Sequence, residues 1–293
     1  MTWSVSSQLP RLAKTLVSRR RGALIALRLT ERGRALLAWC PDDKIFTLSR
    51  ELVLDRIYER GVVTFHEGMG TVVDAGAHVG IFSLQASQWA ERVVALEPSQ
   101  VNFRLLALNV DQNELHNVEA RHCALWSTST DALRFSTTHH SGGGSVGERR
   151  QDPDGVVTDV PATSLDDLIS ELGHVDLLKI DIEGAEYAVL GACKRLGSIS
   201  RIVGEAHVED EDGRAQLDAL VTQLQDSGFS VSLVPEAELL SRGRLRRLWR
   251  NRAALTGHGL VKVLAAAYYL APIKKPIRPP GATYELPILV AHR

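Results

Sequence analysis

The sequence predicts an α/β protein built on an open, mostly parallel, doubly wound sheet, and three observations predict it. Short apolar runs at 71–73 and 92–96 end in the acids Asp74 and Glu97. Between them Gly76 and Gly80 frame a turn into the amphipathic segment Ile81–Ala90, so the stretch reads strand, helix, strand. Further on, VDLLKIDI at 175–182 is nearly continuous in apolar residues, as a central strand buried on both faces must be.

Residues 1–60 read as a basic helical extension. Pro10 is its helix start, Leu12, Leu16, Ile25, Leu29, Leu36 and Leu37 form an irregular apolar stripe, and Pro41, Asp42 and Asp43 stop it. Glu51–Arg60 reads as a further helix, and the main domain fills 61–293. After strands one and two, a helix at 101–110 leads to strand three at 118–123. Residues 137–155, with THHSGGGSVG and then ERRQDPDG, have no apolar period and read as a loop. His139 and His140 lie in that loop without a fixed partner and are not assigned as metal ligands.

Thr163 and Ser164 open a capped helix running to about Leu172. Strand four at 175–182, a helix at 185–196, strand five at 199–206, a helix at 213–226 and strand six at 229–234 follow. The last run, Glu285–His292, reads as strand seven, antiparallel beside strand six, with Pro287 at its start or on an edge. Pro235–Tyr284 is then an insertion of roughly 50 residues, far above ordinary loop length. It leaves the carboxyl end of strand six, where open α/β sheets bind ligands, and is expected to form a helical cover over the acceptor side.

The formal net charge of −1 names no partner, but the basic residues are unevenly placed. Eight Lys and Arg lie between Arg11 and Arg34 against the single acid Glu31, and six arginines between Arg242 and Arg252 meet no acid. Solvated helix faces are one reading; contact with an anionic or lipid-linked acceptor, or with a membrane surface, is the other. No nucleic-acid partner is expected. The three cysteines form no C-x-x-C pair, which suits a reducing cytoplasm without a disulfide framework. The most apolar C-terminal run, 259–272, contains Lys262 and is too short to span a bilayer.

The first turn selects a class of ligand. A pyrophosphate site needs G-x-G-x-x-G, and His78 stands where the middle glycine would be. Asp74 at the mouth of strand one repels phosphate and could attract, directly or through water, the ammonium group of an amino acid. Glu97, about 20 residues past the turn, is placed to accept hydrogen bonds from both ribose hydroxyls. An adenosine joined to an amino acid is S-adenosylmethionine. A second acidic group, Asp181, Glu183 and Glu186, stands at the end of strand four beside strand one. Glu186 alone reads as helix capping, whereas Asp181 at the strand tip does not.

TVVDAGAHVGIFS, VVALEPS, TSLDDL, LLKIDIEGAE and GEAH, in this order, resemble the FkbM-type methyltransferases, a branch of the class I S-adenosylmethionine-dependent enzymes. The resemblance covers about Glu51 to Phe229. It implies a Rossmann-like sheet of seven strands with the last antiparallel, and O-methylation of a hydroxyl on a sugar, glycolipid or polyketide-type product. By this likeness Asp74, Gly76, Gly80 and Glu97 bind the cofactor, His78, Pro98 and Asp181 are assigned with them as cofactor-binding residues, and Asp181, Glu205 and His207 border the reaction centre. The extension and the insertion lie outside the common pattern.

A hydroxyl becomes a nucleophile when its proton has an acceptor within hydrogen-bond reach. His207 is the first candidate and Asp181 the second, with Glu205 orienting the imidazole or binding the acceptor. Related methyltransferase families hold magnesium with carboxylates. Asp181 and Glu205 offer such oxygens, but no spacing here requires an octahedral site, so magnesium stays open and no metal ligands are assigned. The alternative function is a non-catalytic S-adenosylmethionine-binding or scaffold protein that keeps the fold.

Overall fold

The computed structural model describes residues 5–6, 24–31, 34–41, 65–137, 144–146, 156–208, 210–235 and 287–293. Its strands are β1 (Val5–Ser6), β2 (Leu24–Glu31), β3 (Arg34–Pro41), β4 (Met69–Ala75), β5 (Ala90–Leu96), β6 (Val118–Arg121), β7 (Ala124–Trp126), β8 (Thr130–Thr137), β9 (Gly144–Val146), β10 (Val156–Ser164), β11 (Leu177–Ile180), β12 (Arg201–Glu205), β13 (Ser230–Pro235) and β14 (Pro287–His292). The helices are α1 (Ile81–Ala86), α2 (Gln100–Gln112), α3 (Leu165–Leu172), α4 (Glu186–Ala192) and α5 (Glu211–Asp226).

Seven strands form the main sheet in the order β13-β14-β12-β11-β4-β5-β6. The pairs from β12 to β6 are parallel, and β14 runs antiparallel to both its neighbours. The order, with its last strand antiparallel, is the one the resemblance implies, and Pro287 sits at the start of that strand. Period-two alternation divides the core between its two faces. Val72, Val93, Ala95, Leu177, Val203 and Val290 pack on one side with Leu84, Leu105 and Leu106 of α1 and α2. Val73, Val94, Leu178, Ile180, Ile202 and Leu289 pack on the other with Leu168, Leu190 and Leu220 of α3, α4 and α5. Ser164 caps α3 by accepting from the Asp167 N–H, as the sequence predicts.

The expectation of a helical extension is overturned between 24 and 41. There β2 and β3 pair antiparallel from Leu24↔Pro41 to Glu31↔Arg34, leaving two residues between the strands, and β1 adds to β2. The alternation of Ile25, Leu27 and Leu29 with Ala26, Arg28 and Thr30 is a strand period, and Leu36, Ala38 and Cys40 are all buried. The outer edge of β3 is met by α2. Asn109 accepts from the Trp39 N–H at 2.7 Å and donates to the Trp39 carbonyl at 3.0 Å. Four residues on, Asn113 accepts from the Leu37 N–H and donates to its carbonyl, both at 2.7 Å. Helical i,i+4 spacing thus lets two amides satisfy alternate residues of a strand edge.

The segment read as a loop at 137–155 also needs correction. Gly144–Val146 is the short strand β9, paired with β8, and with β7 and β10 these form a second sheet in the order β7-β10-β8-β9. The first helix is shorter than expected, ending at Ala86, because Ala90 already begins β5. The expected helix at Glu51–Arg60, the loop residues His139 and His140, and the insertion beyond Pro235 lie outside the described residues. Among the described residues no helix is long and apolar enough to cross a membrane.

Candidate active site

The parallel strands deliver their carboxyl ends to one rim, where three loops meet. The loop after β4 starts with Gly76, whose φ is +74° and whose hypothetical Cβ would lie 1.9 Å from the Asp181 carbonyl oxygen. Glycine is therefore required for the close approach of this loop to the end of β11. Gly80 ends the turn at φ +87°, where a Cβ would stand 2.5 Å from Leu106. Between them His78 is also left-handed, with φ 53°.

Glu97 ties this loop to the next. One carboxylate oxygen accepts from the His78 N–H at 2.8 Å, and the other from the Ser99 N–H at 2.8 Å and, more distantly, from Asn102. Pro98 stands between Glu97 and Ser99, and its carbonyl meets a ring nitrogen of His122 at 2.9 Å. Glu97 is only 5% exposed. Burial raises its pKa to about 7 against the lowering effect of the Ser99, His78 and Asn102 hydrogen bonds and the Lys179 charge. A carboxylate has about four acceptor positions, so this one keeps capacity for a ribose hydroxyl.

Asp74 departs from the sequence reading. It has no accessible surface: one oxygen accepts from the Ser83 hydroxyl at 2.6 Å and the other lies 3.2 Å from Lys179 Nζ. Direct attraction of an ammonium group is therefore closed to it. Lys179, which the sequence reading passed over, is buried in β11 opposite Asp74 in register. Its ammonium donates to the Gly76 carbonyl at 2.8 Å and lies 3.9 Å from Asp181. The signal was present, because a lysine inside a strand apolar on both faces needs a buried countercharge.

At the end of β11 the chain turns through Glu183, φ 57°, and Gly184 into α4. Glu186 accepts from the Ile182 N–H at 2.9 Å, the capping role expected of it, and the same oxygen lies 3.2 Å from His207 Nδ1. The other ring nitrogen of His207 is 3.5 Å from Glu183. Burial opposes a charge on His207, but contact with Glu186 and the charges of Glu186, Asp181 and Glu183 outweigh it and raise its pKa to about 10. His207 is 7% exposed, while Asp181 and Glu205 are half-buried. One donor atom from each of Asp181, Glu205 and His207 falls within 4.8 Å of the others. The three residues expected at the reaction centre thus come together, across the Asp181 backbone from the glycine turn.

Comparison with known proteins identifies the family. Residues 74–231 match the family model for the methyltransferase FkbM domain. The chain is 30% identical over 195 residues to methyltransferase sdnD of Sordaria araneosa, covering 55% of this chain and 74% of that protein. It is 26% identical over 215 residues to methyltransferase 1 of Beauveria bassiana, covering 64% and 81%. The crystal structure of methyltransferase FkbM from Methylobacillus flagellatus aligns over 60% of this chain and 42% of that one, at 19% identity and a TM-score of 0.40.

Proposed function

Because the chain belongs to the FkbM methyltransferase family, we propose that it transfers the methyl group of S-adenosylmethionine to a hydroxyl oxygen of a sugar, glycolipid or polyketide-type acceptor. The observation that carries the oxygen reading is the convergence of Asp181, Glu205 and His207 within 4.8 Å at the strand ends. A hydroxyl, unlike a neutral amine, must lose its proton during transfer, and such a cluster supplies acceptors for it.

Glu97 would hold the cofactor's ribose, and the turn from Gly76 to Gly80 would hold its amino-acid arm beside the end of β11. An acceptor oxygen held in line with the sulfur–methyl bond attacks the methyl carbon. The carbon–oxygen bond forms as the carbon–sulfur bond breaks, its electron pair stays on sulfur, and S-adenosylhomocysteine is left. The hydroxyl proton passes to the Asp181 carboxylate. His207, with its pKa raised to about 10, carries a proton at neutral pH and serves as a charged hydrogen-bond donor rather than as the base. Glu205 holds the acceptor. The basic run from Arg242 to Arg252 favours an acceptor bearing negative charge.

Calorimetry with S-adenosylmethionine followed by turnover on hydroxylated acceptors tests this reading. Glu97→Ala is expected to weaken cofactor binding by about 1.5–3 kcal/mol through loss of charge-assisted bonds. Asp181→Asn is expected to lower turnover by about 10²–10⁴-fold. A larger loss in His207→Ala would return the base role to the imidazole. Cofactor binding with no turnover on any acceptor would identify a non-catalytic binding protein.

A further inference from the structure

We infer that Lys179 is a positioning residue for the cofactor, its buried ammonium clamping the turn after β4 against the end of β11 and acting through its charge on the ribose-binding loop. The inference rests on the methyl-transfer reading and adds a residue to its machinery. Lys179 Nζ donates to the Gly76 carbonyl at 2.8 Å and, more distantly, to the Ala75 carbonyl at 3.4 Å, and it lies 3.2 Å from Asp74 and 3.9 Å from Asp181. The ammonium thus meets two successive carbonyls of the turn as well as a carboxylate.

The other side of the same turn is held by β5. The Leu96 carbonyl accepts from the Gly76 N–H at 3.0 Å and from the Ala77 N–H at 2.9 Å. Leu96 directly precedes Glu97, and His78, the next residue of the turn, donates its N–H to the Glu97 carboxylate at 2.8 Å. The turn is therefore fixed between the lysine of β11 and the ribose acid after β5.

A countercharge for Asp74 is the simpler role, and it does not account for the lysine. Asp74 already accepts from the Ser83 hydroxyl at 2.6 Å, and a buried pair of charges is often no more stable than apolar residues of similar volume. What the ammonium supplies, and an apolar side chain does not, is a donor to the turn and a positive charge within the site. Among the described residues, the carboxylates it faces most closely are Asp74 of β4 and Asp181 after β11, and one donor atom from each of Glu205 and His207 stands within 4.8 Å of Asp181. Its charge also reaches Glu97. Burial raises the Glu97 pKa to about 7, and the bonds from Ser99, His78 and Asn102 together with the Lys179 charge keep it from rising further. Removing that charge raises the pH at which Glu97 becomes the ionised acceptor that ribose hydroxyls need.

Lys179→Gln keeps a donor near the Gly76 carbonyl and removes the charge. The test is calorimetric titration of the full-length wild type and variant with S-adenosylhomocysteine from about pH 6 to about pH 9. The variant is expected to bind about 3–10-fold more weakly at about pH 7, with the midpoint of its affinity profile raised by about half a pH unit or more, and the deficit should shrink toward about pH 9. A purely structural role would lose the same factor at every pH. If the single variant is unfolded by circular dichroism, Asp74→Asn with Lys179→Gln removes the stranded carboxylate and is measured in its place. Weakened binding and a raised midpoint are again expected, whereas wild-type affinity and midpoint would show that Lys179 serves only Asp74. An equal loss at all pH values, an unchanged profile, or a wild-type profile flat with pH overturns the inference while leaving cofactor binding in place. Failure of the wild type to bind S-adenosylhomocysteine overturns the methyl-transfer reading instead.

Discussion

Replacing Lys179 by methionine keeps most of the side-chain volume but leaves the Asp74 carboxylate buried without a countercharge. Breaking a buried pair from one side costs about 3–5 kcal/mol, whereas Asp74→Asn combined with Lys179→Met should recover much of that loss. Urea denaturation of the single and double variants measures the difference. Glu97 gives a pH-dependent counterpart. Its folded-state pKa of about 7 lies above the ordinary 4.5, so the folded protein holds the proton more tightly than the unfolded chain. The resulting stabilisation is complete below pH 4.5 and is lost as pH rises through 7. Cofactor binding runs the opposite way, because the ionised carboxylate is the better acceptor for ribose hydroxyls. Affinity for S-adenosylhomocysteine should therefore rise between about pH 6 and about pH 8, and Glu97→Gln should flatten the profile. The position of Glu97, Asp181, Glu205 and His207 at strand ends was legible because each stands at the end of an apolar run. Which groups each carboxylate meets was not, since those partners lie on other strands.

The loop from Gly76 to Gly80 shows how an element is fixed by what crosses it. Its first glycine was legible as part of a turn, yet the structural demand comes from the Asp181 carbonyl, 1.9 Å from where a Cβ would stand. Gly76→Ala should cost about 2–6 kcal/mol from the left-handed backbone and the clash together, and should displace Asp181 as well as the loop. Thermal unfolding reads the first effect and turnover the second. Helix α3 was readable from its Ser164 cap and acidic first turn, both local features. The hairpin of β2 and β3 was not read, because scattered leucines allowed a helical stripe to be drawn through residues that alternate in twos. Its partners on α2, Asn109 and Asn113, are about 70 positions away, so no local pattern reveals that the strand edge has somewhere to dock.

Across the whole molecule, the sheet is completed by its last segment. β14 lies between β12 and β13 and pairs with both, so removing residues 287–293 would split β13 from the rest and expose two strand edges. Such a truncation should abolish the cooperative unfolding transition seen by circular dichroism, whereas loss of an edge strand would only lower its midpoint. The parallel order was legible from alternating strands and helices, since right-handed crossovers leave few arrangements. The second sheet was not, because β8 and β10 are rich in exposed polar residues, and their buried apolar residues form only a small cluster around Phe135 and Val160. The amide pair on α2 has a consequence for solubility. An exposed strand edge is a template on which another chain can add, and proteins blunt such edges to stay dispersed. Asn109 and Asn113 act as a molecular stopper that ends the small sheet without supplying another strand. Changing both to leucine would keep the helix but unseal β3, and light scattering should then show assembly that grows with protein concentration; a monodisperse double variant would show that the edge is guarded by something else.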